Sequence, residues 1–552
     1  MQQRDIDRAF APSRGLCIVR TMPPGQGPES LNDVFHERLS ALVNNGPADA
    51  LSGGRRGVEK ESLRVTPDGK LSTRPHPAAL GSALTNKYIT TDFSEALLEF
   101  VSPTFPNTWE ALRFLCDIHQ FTYEKLDDEL LWVASMPCLI APDGDIPLAR
   151  YGDSNVGRMK TVYRRGLGYR YGRAMQTIAG LHFNYSLPES FWPVYQELLE
   201  DRHDADAFRS SAYLGLIRNF RRFGWLVLYL FGASPAVCKS FAGGADLGLE
   251  DFDSETLFQP FATSLRMSDL GYSNKTQASI NISLNDLDEY IHGLSAAIDT
   301  PEPDYEKIGV LVDGEYRQLS SNKLQIENEY YSSIRPKRVA WSGERPTSAL
   351  RRGGIEYVEV RSIDLGLFDP VGISQNAMRF MEAFLVYCLL SDSPLFDDAG
   401  WARAMTNHSN VAKRGRDPDF RLQRASSDVA LREWATEILD GVGAVAELID
   451  AGGARDDYRQ AVEAQMELVR EPDRTPSARI LQGLREEDVG FFRFALQCAQ
   501  RNKDYFAALV PLSEERLGAF EREATESIDR QKQIEAADEM SFDEYLAKYY
   551  AS

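Results

Sequence analysis

The chain has 552 residues, of which 43% are hydrophobic and 26% are charged, a composition typical of a folded globular protein that excludes a disordered or collagen-like chain. Its 82 Asp and Glu residues outnumber its 61 Lys and Arg residues, so the formal net charge is -21. Because a negative field opposes binding to a phosphate backbone, we expect no nucleic-acid partner.

The first thirty residues contain scattered charges and no continuous apolar stretch, so they predict neither a signal peptide nor a transit peptide. We expect residues 1–31 to form a flexible extension, and Met22 is a candidate for the true start. The longest apolar run, residues 223–233, is shorter than the roughly 20 residues that cross a bilayer and predicts a buried helix or strand. We therefore expect a soluble cytoplasmic protein that does not enter the membrane.

The six cysteines lie far apart and form no CxxC pair, a spacing that does not indicate a disulfide framework. Several of them have apolar neighbours in the sequence, where a free thiol behaves as a small core residue. The sequence therefore predicts reduced thiols.

Along the chain, hydrophobic periodicity predicts an opening helix over 32–43 and strands over 57–65, 97–101 and 354–361. Beyond about residue 380 the apolar residues recur at spacings of three and four, which predicts helices such as 431–449 and 491–509. The pattern indicates an α+β protein with a mixed region over 32–370. A mainly helical portion, residues 371–552, is expected to pack on it.

Several common catalytic motifs are absent from the sequence. There is no GxxxxGK[ST] loop, no GxGxxG after a strand, no HExxH and no GxSxG. A phosphate-handling enzyme without these loops would hold its nucleotide largely through metal ions.

Carboxylates in the first two predicted strands suggest such a metal site. Glu59 and Glu61 are two residues apart, a spacing that places both side chains on one face of a strand. Two adjacent carboxylates repel each other unless a cation lies between them. Glu99, shortly after Asp92, lies in an apolar run where an unpaired charge would be costly.

A third cluster lies in the strand predicted at 354–361. Tyr357, Glu359 and Arg361 share one face, while the alternate positions are valines. By itself this pattern also describes a surface strand with an ion pair.

His182 is expected to share a strand face with Asn184. A lone histidine is more often a core residue than a ligand. Together with the carboxylates, however, one imidazole and several hard oxygen ligands suit Mg²⁺ or Mn²⁺.

Residues 158–173 carry six Lys and Arg residues and no acid, and residues 334–338 form a second basic segment. A charge run is usually a solvated face. In a protein of this net charge, we interpret the two segments as binding a triphosphate and substrate carboxylates.

Nine ordered motifs resemble the glutamate–cysteine ligases of proteobacteria. They are GVEKESLRV, HPAALGSALTNKYITTDFSEALLEFVSP, SMPCLIA, QTIAGLHFNYSLP, FRRFGWLVLYLFGASPAVC, SLRMSDLGYSNK, LQIENEYY, IRPKR and GGIEYVEVRS. The resemblance runs from the opening helix to the C-terminus and is densest between Gly57 and Arg361.

The resemblance implies a glutamine-synthetase-like fold, in which an antiparallel sheet covered by helices curls into a funnel that holds ATP and divalent metal ions. Residues 32–370 would be the catalytic core. It implies an enzyme that uses ATP, with Mg²⁺ or Mn²⁺, to join the γ-carboxyl of glutamate to the amine of cysteine through a γ-glutamyl phosphate. This is the first step of glutathione synthesis. Feedback inhibition by glutathione is also implied, and we expect a monomer.

Where the motifs match, the resemblance implies a role for individual residues. The implied metal ligands are Glu59, Glu61, Asp92, Glu99, His182 and Glu359. Glu359 and Arg361 would be catalytic, with Arg361 facing the transferred phosphoryl group. Gln176 and Asn184 would bind glutamate, and the cysteine pocket would consist of Tyr163, Arg266, Tyr272 and Tyr331. Residues that would bind the nucleotide are Arg164, Arg335 and Lys337. No site residue is assigned to the last third of the chain.

Two alternatives stay open at this point. A ligase of the same fold could use a different amine acceptor, although an aromatic pocket with an arginine suits an amino acid. A catalytically inactive regulator would not need the full set of carboxylates with Arg361.

Overall fold

A computed structural model describes residues 31–47, 49–140, 142–243, 246–271, 280, 282–341, 343–425, 427–453 and 455–551. Met22 and nearly all of the predicted extension lie outside these residues, and so does Tyr272. None of the helices in the described ranges combines the length and apolarity that a bilayer-spanning helix needs.

The strands are short apart from the first and the twelfth. In chain order they are β1 (Arg55–Val65), β2 (Ile89–Thr91), β3 (Leu97–Val101), β4 (Leu130–Leu131), β5 (Leu181–Ser186), β6 (Ala236–Cys238), β7 (Glu250–Asp251), β8 (Thr256–Phe258), β9 (Leu311–Val312), β10 (Glu315–Tyr316), β11 (Ile334–Lys337), β12 (Tyr357–Ile363), β13 (Arg421–Arg424) and β14 (Ser427–Ala430).

Seven of these strands form one antiparallel sheet, in the order β11-β12-β5-β1-β3-β2 with β4 beside β1. Within the described residues this sheet is open and does not close into a barrel. The remaining strands form smaller sheets of two or three strands.

Helices make up most of the rest of the fold. They span Leu31–Asn45, Thr108–Lys125, Asn155–Tyr171, Phe191–Leu198, Ala205–Phe223, Trp225–Phe231, Lys239–Ala242, Leu287–Asp299, Pro303–Ile308, Pro346–Gly353, Gln375–Leu390, Asp398–Arg414, Leu431–Ala451, Asp457–Arg470, Pro476–Glu486, Phe491–Ala508, Glu514–Ala536 and Phe542–Ala551. Two of them matter for the site: the basic helix (Asn155–Tyr171) and the C-terminal helix (Phe542–Ala551).

The two faces of the sheet differ in polarity because side chains alternate along each strand. Val58, Phe183 and Val360 are completely buried on one face. They belong to one hydrophobic cluster with Phe220 and Phe384, which come from helices behind the sheet. Burial of this face fixes the register of the strands, since a slip of one residue would turn the apolar side chains towards the other face.

The predicted helices and strands correspond closely to those of the structure. The predicted strand over 97–101 is β3, and the predicted helix over 491–509 is Phe491–Ala508. The apolar run over 223–233 is a buried helix, Trp225–Phe231. The strand predicted from residue 354 begins later, at Tyr357, because the preceding helix extends to Gly353 and ends at Gly354 with a φ of 71°.

The prediction of reduced thiols is wrong for one pair of cysteines. Cys138 and Cys238, which are separated by 100 residues, form a disulfide with a Cα–Cα distance of 5.5 Å. The fold brings together a loop after β4 and the end of β6, a proximity that sequence spacing does not reveal. Cys388 and Cys498 are buried free thiols, as expected, and Cys116 is half-buried and free.

Candidate active site

The register of the sheet brings the predicted acidic ligands onto one face. Glu59 of β1 pairs with His182 of β5, and Glu61 pairs with Glu99 of β3. Directly opposed residues of antiparallel strands project from the same face. Four residues from three strands, Glu59, Glu61, Glu99 and His182, are therefore neighbours in space, although Glu59 and His182 are 123 positions apart in the sequence.

The same face continues towards the other edge of the sheet. Asn184 of β5 pairs with Glu359 of β12, which in turn pairs with Arg335 of β11. Arg361 lies two positions beyond Glu359, and its guanidinium Nη1 is 3.3 Å from Glu359 Oε1. The predicted acidic ligands of β1, β3 and β5 and the charged residues of β11 and β12 therefore share a single surface.

This surface lies in a cavity of about 750 Å³. All but two of the predicted site residues line the cavity. Asn184 is one exception: its Nδ2 donates to Glu59 Oε1 at 2.9 Å, so that it positions a carboxylate. Tyr272 is the other, because it lies outside the described residues.

Glu59, Glu61, Glu99 and His182 form a compact cluster. His182 Nδ1 is 3.0 Å from Glu59 Oε2, and its Nε2 is 3.7 Å from Glu61 Oε1. Ligand atoms of Glu59, Glu99 and His182 all lie within 4.8 Å of one another. This spacing suits a single cation that is shared by the three side chains.

Electrostatics of this cluster favour an added positive charge. Burial raises the pKa of Glu99 well above its ordinary value, and the charges of Glu59 and Asp92 raise it further. Burial also raises the pKa of Glu61, an effect that His182 opposes. Carboxyls with raised pKa values bind a cation in exchange for protons, and this exchange relieves their repulsion.

Glu359 and Arg361 form the charged pair at the other end of the surface. Burial by itself would raise the pKa of Glu359, but the charges of Lys337 and Arg361 outweigh it and hold the pKa well below its usual range. Burial likewise opposes the charge on Arg361, yet Glu359 and Glu61 raise its pKa above the ordinary value. Both groups therefore stay ionised at neutral pH.

The carboxylate of Glu359 has an oxygen that is available to bind a metal ion. Glu359 Oε2 is buried and has no hydrogen-bond partner among the described residues, while Oε1 faces Lys337 Nζ at 3.5 Å. An unsatisfied buried carboxylate oxygen is costly. Carboxylate oxygens and one imidazole are ligands that Mg²⁺ and Mn²⁺ accept, so the residues present fit a divalent cation.

Arg266 and Tyr331, two of the residues predicted for the cysteine pocket, line the cavity near Arg361. Arg266 Nη1 is 3.4 Å from Asp364 Oδ1, and its Nη2 donates to the backbone oxygen of Arg361 at 3.0 Å. The hydroxyl of Tyr331 lies 3.1 Å from Met267 Sδ, and burial raises the pKa of this tyrosine. The pocket thus combines a fixed guanidinium with a neutral phenol.

The Lys and Arg side chains of the basic helix lie in different surroundings, some in the cavity and some outside it. Lys160 and Arg164 line the cavity, and Arg164 Nη2 is 3.6 Å from Asp92 Oδ1. Arg170 also reaches it but forms a buried ion pair with Glu329 at 2.8 Å. Arg165 is bonded outside the cavity, 3.1 Å from Glu315. Only part of this segment is therefore placed to meet substrates.

The structure adds residues that the sequence reasoning missed. Tyr545 and Tyr549 of the C-terminal helix line the cavity from the end of the chain. Residues four apart lie on one face of a helix, so the spacing of these tyrosines was a signal that they act together. Nothing in the spacing indicates what they face.

Comparisons with known proteins agree with the resemblance. Residues 39–411 match the model of the family described as glutamate–cysteine ligase. The chain is 50% identical to a glutamate–cysteine ligase of Alcanivorax borkumensis over 94% of this chain and 99% of that protein. It is 46% identical to a glutamate–cysteine ligase of Pseudomonas putida over 95% of this chain and 99% of that protein.

Two solved structures are similar as well. A crystal structure of glutamate–cysteine ligase from Francisella tularensis in complex with AMP matches with a TM-score of 0.85 and 37% identity, over 90% of this chain and 98% of that one. A bifunctional glutathione synthetase from Pasteurella multocida matches with a TM-score of 0.68 and 25% identity, over 86% of this chain and 55% of that one.

Proposed function

Because this chain belongs to the glutamate–cysteine ligase family, we propose that the cavity beside the sheet is where it joins glutamate to cysteine at the expense of ATP. The ligation is a step of glutathione synthesis. The observation that carries the proposal is the single surface on which Glu59, Glu61, Glu99, His182 and Glu359 meet.

The reaction proceeds in two steps. An oxygen of the glutamate γ-carboxylate attacks the γ-phosphorus of ATP, which forms γ-glutamyl phosphate and releases ADP. The amine of cysteine then attacks the activated carbonyl carbon. A C–N bond forms, the C–O bond to phosphate breaks, and phosphate leaves as the amine loses a proton. Both steps depend mainly on alignment and on neutralisation of phosphate charge.

Divalent cations fit the acidic end of the cavity. Glu59, Glu61, Asp92, Glu99, His182 and Glu359 would hold Mg²⁺ or Mn²⁺. Bound there, such ions would screen the charge of the triphosphate as it approaches the carboxylate of glutamate.

Arg361 is the chain's own contribution to phosphoryl transfer. Its guanidinium stays charged beside Glu359 and points into the cavity. A planar fork of donors suits phosphate oxygens, and a fixed cation stabilises charge that develops in the transition state. Lys337, Arg335 and Arg164 line the same cavity and would bind the nucleotide's phosphates.

The amino acids would occupy the remaining walls. Gln176 would bind the glutamate end, and Asn184 would support it through its bond to Glu59. Tyr163, Arg266 and Tyr331 would surround cysteine, with Tyr272 from a segment outside the described residues. The relatives' shared name favours cysteine over another amine acceptor.

Three further parts of the proposal concern the enzyme in the cell. Glutathione contains the γ-glutamylcysteine unit, so it would occupy the amino-acid subsites and inhibit by competition. We also propose a monomeric enzyme located in the cytoplasm.

The division of the chain into a core over 32–370 and a helical portion over 371–552 stays a prediction.

A coupled assay of ADP release tests the proposed function. Glutamate is supplied with cysteine, with 2-aminobutyrate or with ammonia. We expect turnover with both amino acids, since they share an α-amine and a carboxylate, and little with ammonia. Turnover with ammonia that cysteine does not increase would contradict the proposed acceptor.

A further inference from the structure

A second cavity, of about 460 Å³, shares no lining residue with the first cavity beside the sheet. The loop over residues 144–150 lines it, together with Thr161 and Arg165 of the basic helix. Thr161 and Arg165 are four positions apart and therefore share a helix face, while Lys160 of the same helix lines the first cavity. The basic helix thus contributes to two separate cavities.

Three arginines line the second cavity: Arg150, Arg165 and Arg173. Arg173 Nη1 donates to the backbone oxygen of Ile146 at 2.9 Å, and Arg165 Nη1 donates to the backbone oxygen of Tyr316 at 2.6 Å. Among the described residues, the Nε and Nη2 atoms of both guanidinium groups have no hydrogen-bond partner. One nitrogen of each group is therefore anchored, and the others are available to a ligand.

Arg150 differs from the other two because the fold does not use its side chain. Its guanidinium is exposed and has no hydrogen bond, ion pair or ring contact with any described residue. Its backbone NH, however, donates to Glu95 Oε1 at 2.6 Å, so that the position of the residue is fixed. A single exposed arginine of this kind is usually solvated. This one lines a cavity together with two further cations.

The acids of the second cavity do not neutralise these cations. Glu95 is 7% exposed, and its two carboxylate oxygens accept from the backbone NH groups of His76 and Arg150. The only other acid in the lining is Asp145, which is exposed. The cavity therefore has an excess of positive charge in a protein whose net charge is -21.

Hydrogen bonds hold the wall of the second cavity in place. Ser94 Oγ donates to the backbone oxygen of Pro147 at 2.6 Å, and the backbone NH of Ala149 donates to the backbone oxygen of Phe93 at 3.0 Å. The loop over residues 144–150 is thus tied to the segment between β2 and β3. A site whose walls are already ordered loses little conformational entropy when it binds a ligand.

The chemistry of the second cavity favours a phosphate group. A phosphate monoester carries about two negative charges and three acceptor oxygens at neutral pH, whereas a carboxylate carries one charge and two oxygens. The planar forks of arginine side chains match phosphate oxygens. We propose that the second cavity binds a small phosphate-bearing anion through Arg150, Arg165 and Arg173. This site lies apart from the first cavity and does not depend on the proposed function.

Calorimetry with pyrophosphate tests the inference on the full-length protein without divalent cations. The first cavity also contains cations, so the wild type should show two binding events. Arg150→Ala should weaken one of them by about tenfold or more, the scale of losing a hydrogen bond to a charged group, and Arg150→Glu should abolish it. Arg361→Ala should weaken the other event. Because the Arg150 side chain has no partner in the fold, its variants should fold normally.

Arg493→Ala is the matched control, since Arg493 is exposed and lines neither cavity. It should bind pyrophosphate as the wild type does. Succinate, which carries carboxylates, should bind the second cavity at least about tenfold more weakly than pyrophosphate. Unchanged pyrophosphate binding in Arg150→Glu, or equal affinity for succinate, would overturn the inference.

Chemical modification locates the bound anion. Phenylglyoxal reacts with accessible guanidinium groups, and mass spectrometry of peptides measures the extent at each arginine. Pyrophosphate should slow the modification of Arg150 in the wild type and also in Arg361→Ala, and it should leave Arg493 unprotected. An Arg150 that reacts equally fast with and without pyrophosphate would contradict the site. Neither measurement requires turnover, so the failure of this inference and that of the proposed function are distinguishable.

Discussion

Glu61 and Glu99 lie directly opposite each other on neighbouring strands, and both side chains project from the face of the sheet that forms the cavity. Like charges in this position destabilise a sheet by roughly 0.2–1 kcal/mol. Their repulsion is a cost of the folded state that a bound cation would remove. The stability of the protein should therefore depend on divalent metal ions.

Glu99→Gln tests this dependence. Without divalent cations the variant should unfold at a slightly higher temperature than the wild type, by up to about 1 °C for a chain of this length, because a neutral amide replaces one of the two repelling carboxyls. Mn²⁺ should raise the midpoint of the wild type and have a smaller effect on the variant, since binding to the folded state stabilises it by mass action. Thermal unfolding with EDTA and with MnCl₂ measures both effects. Glu124→Gln, at an exposed position, is the control, and an equal response of all three proteins would refute the metal site.

Glu359→Gln addresses catalysis. The variant keeps the size of the side chain but removes the charge that pairs with Arg361 and would bind metal. We expect ADP release to fall by about 100-fold or more, the scale of losing a group that stabilises the transition state. Circular dichroism should show an intact fold. Glu356→Gln, three residues earlier in the chain, should stay active, and wild-type turnover in Glu359→Gln would exclude a catalytic role.

Tyr331→Ala should separate the two amino-acid substrates. If Tyr331 lines the cysteine pocket, the variant should raise KM for cysteine by about tenfold, or roughly 1.4 kcal/mol of binding, and leave KM for glutamate nearly unchanged. Gln176→Ala should show the opposite preference. Steady-state kinetics with each substrate varied in turn provides the measurement. Equal losses for both substrates in both variants would argue against the two pockets.

Lys60 gives stability a distinct pH dependence. It lies on the face of β1 opposite the carboxylates, is 3% exposed, and its Nζ is 2.7 Å from His119 Nε2. Burial lowers the pKa of Lys60 from 10.5 to about 7. Between these pH values the unfolded chain binds more protons than the folded protein, so this group makes the protein more stable as pH rises.

Lys60→Met should remove this contribution. Between pH 7 and 10 the free energy of unfolding of the wild type should rise relative to that of the variant by on the order of 1 kcal/mol per pH unit. Urea unfolding at several pH values measures the slope. Lys70→Met, at a side chain that is 69% exposed, should behave as the wild type. Identical slopes for the wild type and Lys60→Met would mean that Lys60 stays charged.

The bond between Cys138 and Cys238 should stabilise the fold. It closes a loop with a sequence separation of 100, which restricts the unfolded chain. Cys138→Ser should lower the free energy of unfolding by about 4 kcal/mol. Dithiothreitol should destabilise the wild type and not this variant. Cys116→Ser is the control. If dithiothreitol left the free energy of unfolding of the wild type unchanged, the disulfide would not contribute to stability.

The sequence by itself determined which residues share a strand face. Side chains in a strand alternate with a period of two, so Glu59 and Glu61, or Glu359 and Arg361, had to lie together wherever their strands were placed. Each of these pairs is on the cavity face of the sheet. Ordered motifs were also sufficient to identify the family.

The tertiary structure alone decided which strands are neighbours and in what register. The pairing of Glu61 with Glu99 and of Glu59 with His182 depends on how the apolar face packs against the helices, and no local pattern encodes it. The same holds for the disulfide and for the basic helix, where a turn of about 100° per residue places Arg164 and Arg165 in different surroundings. Tyr545 and Tyr549 reach the cavity for the same reason: long-range packing brings the end of the chain against a helix that begins at Asn155.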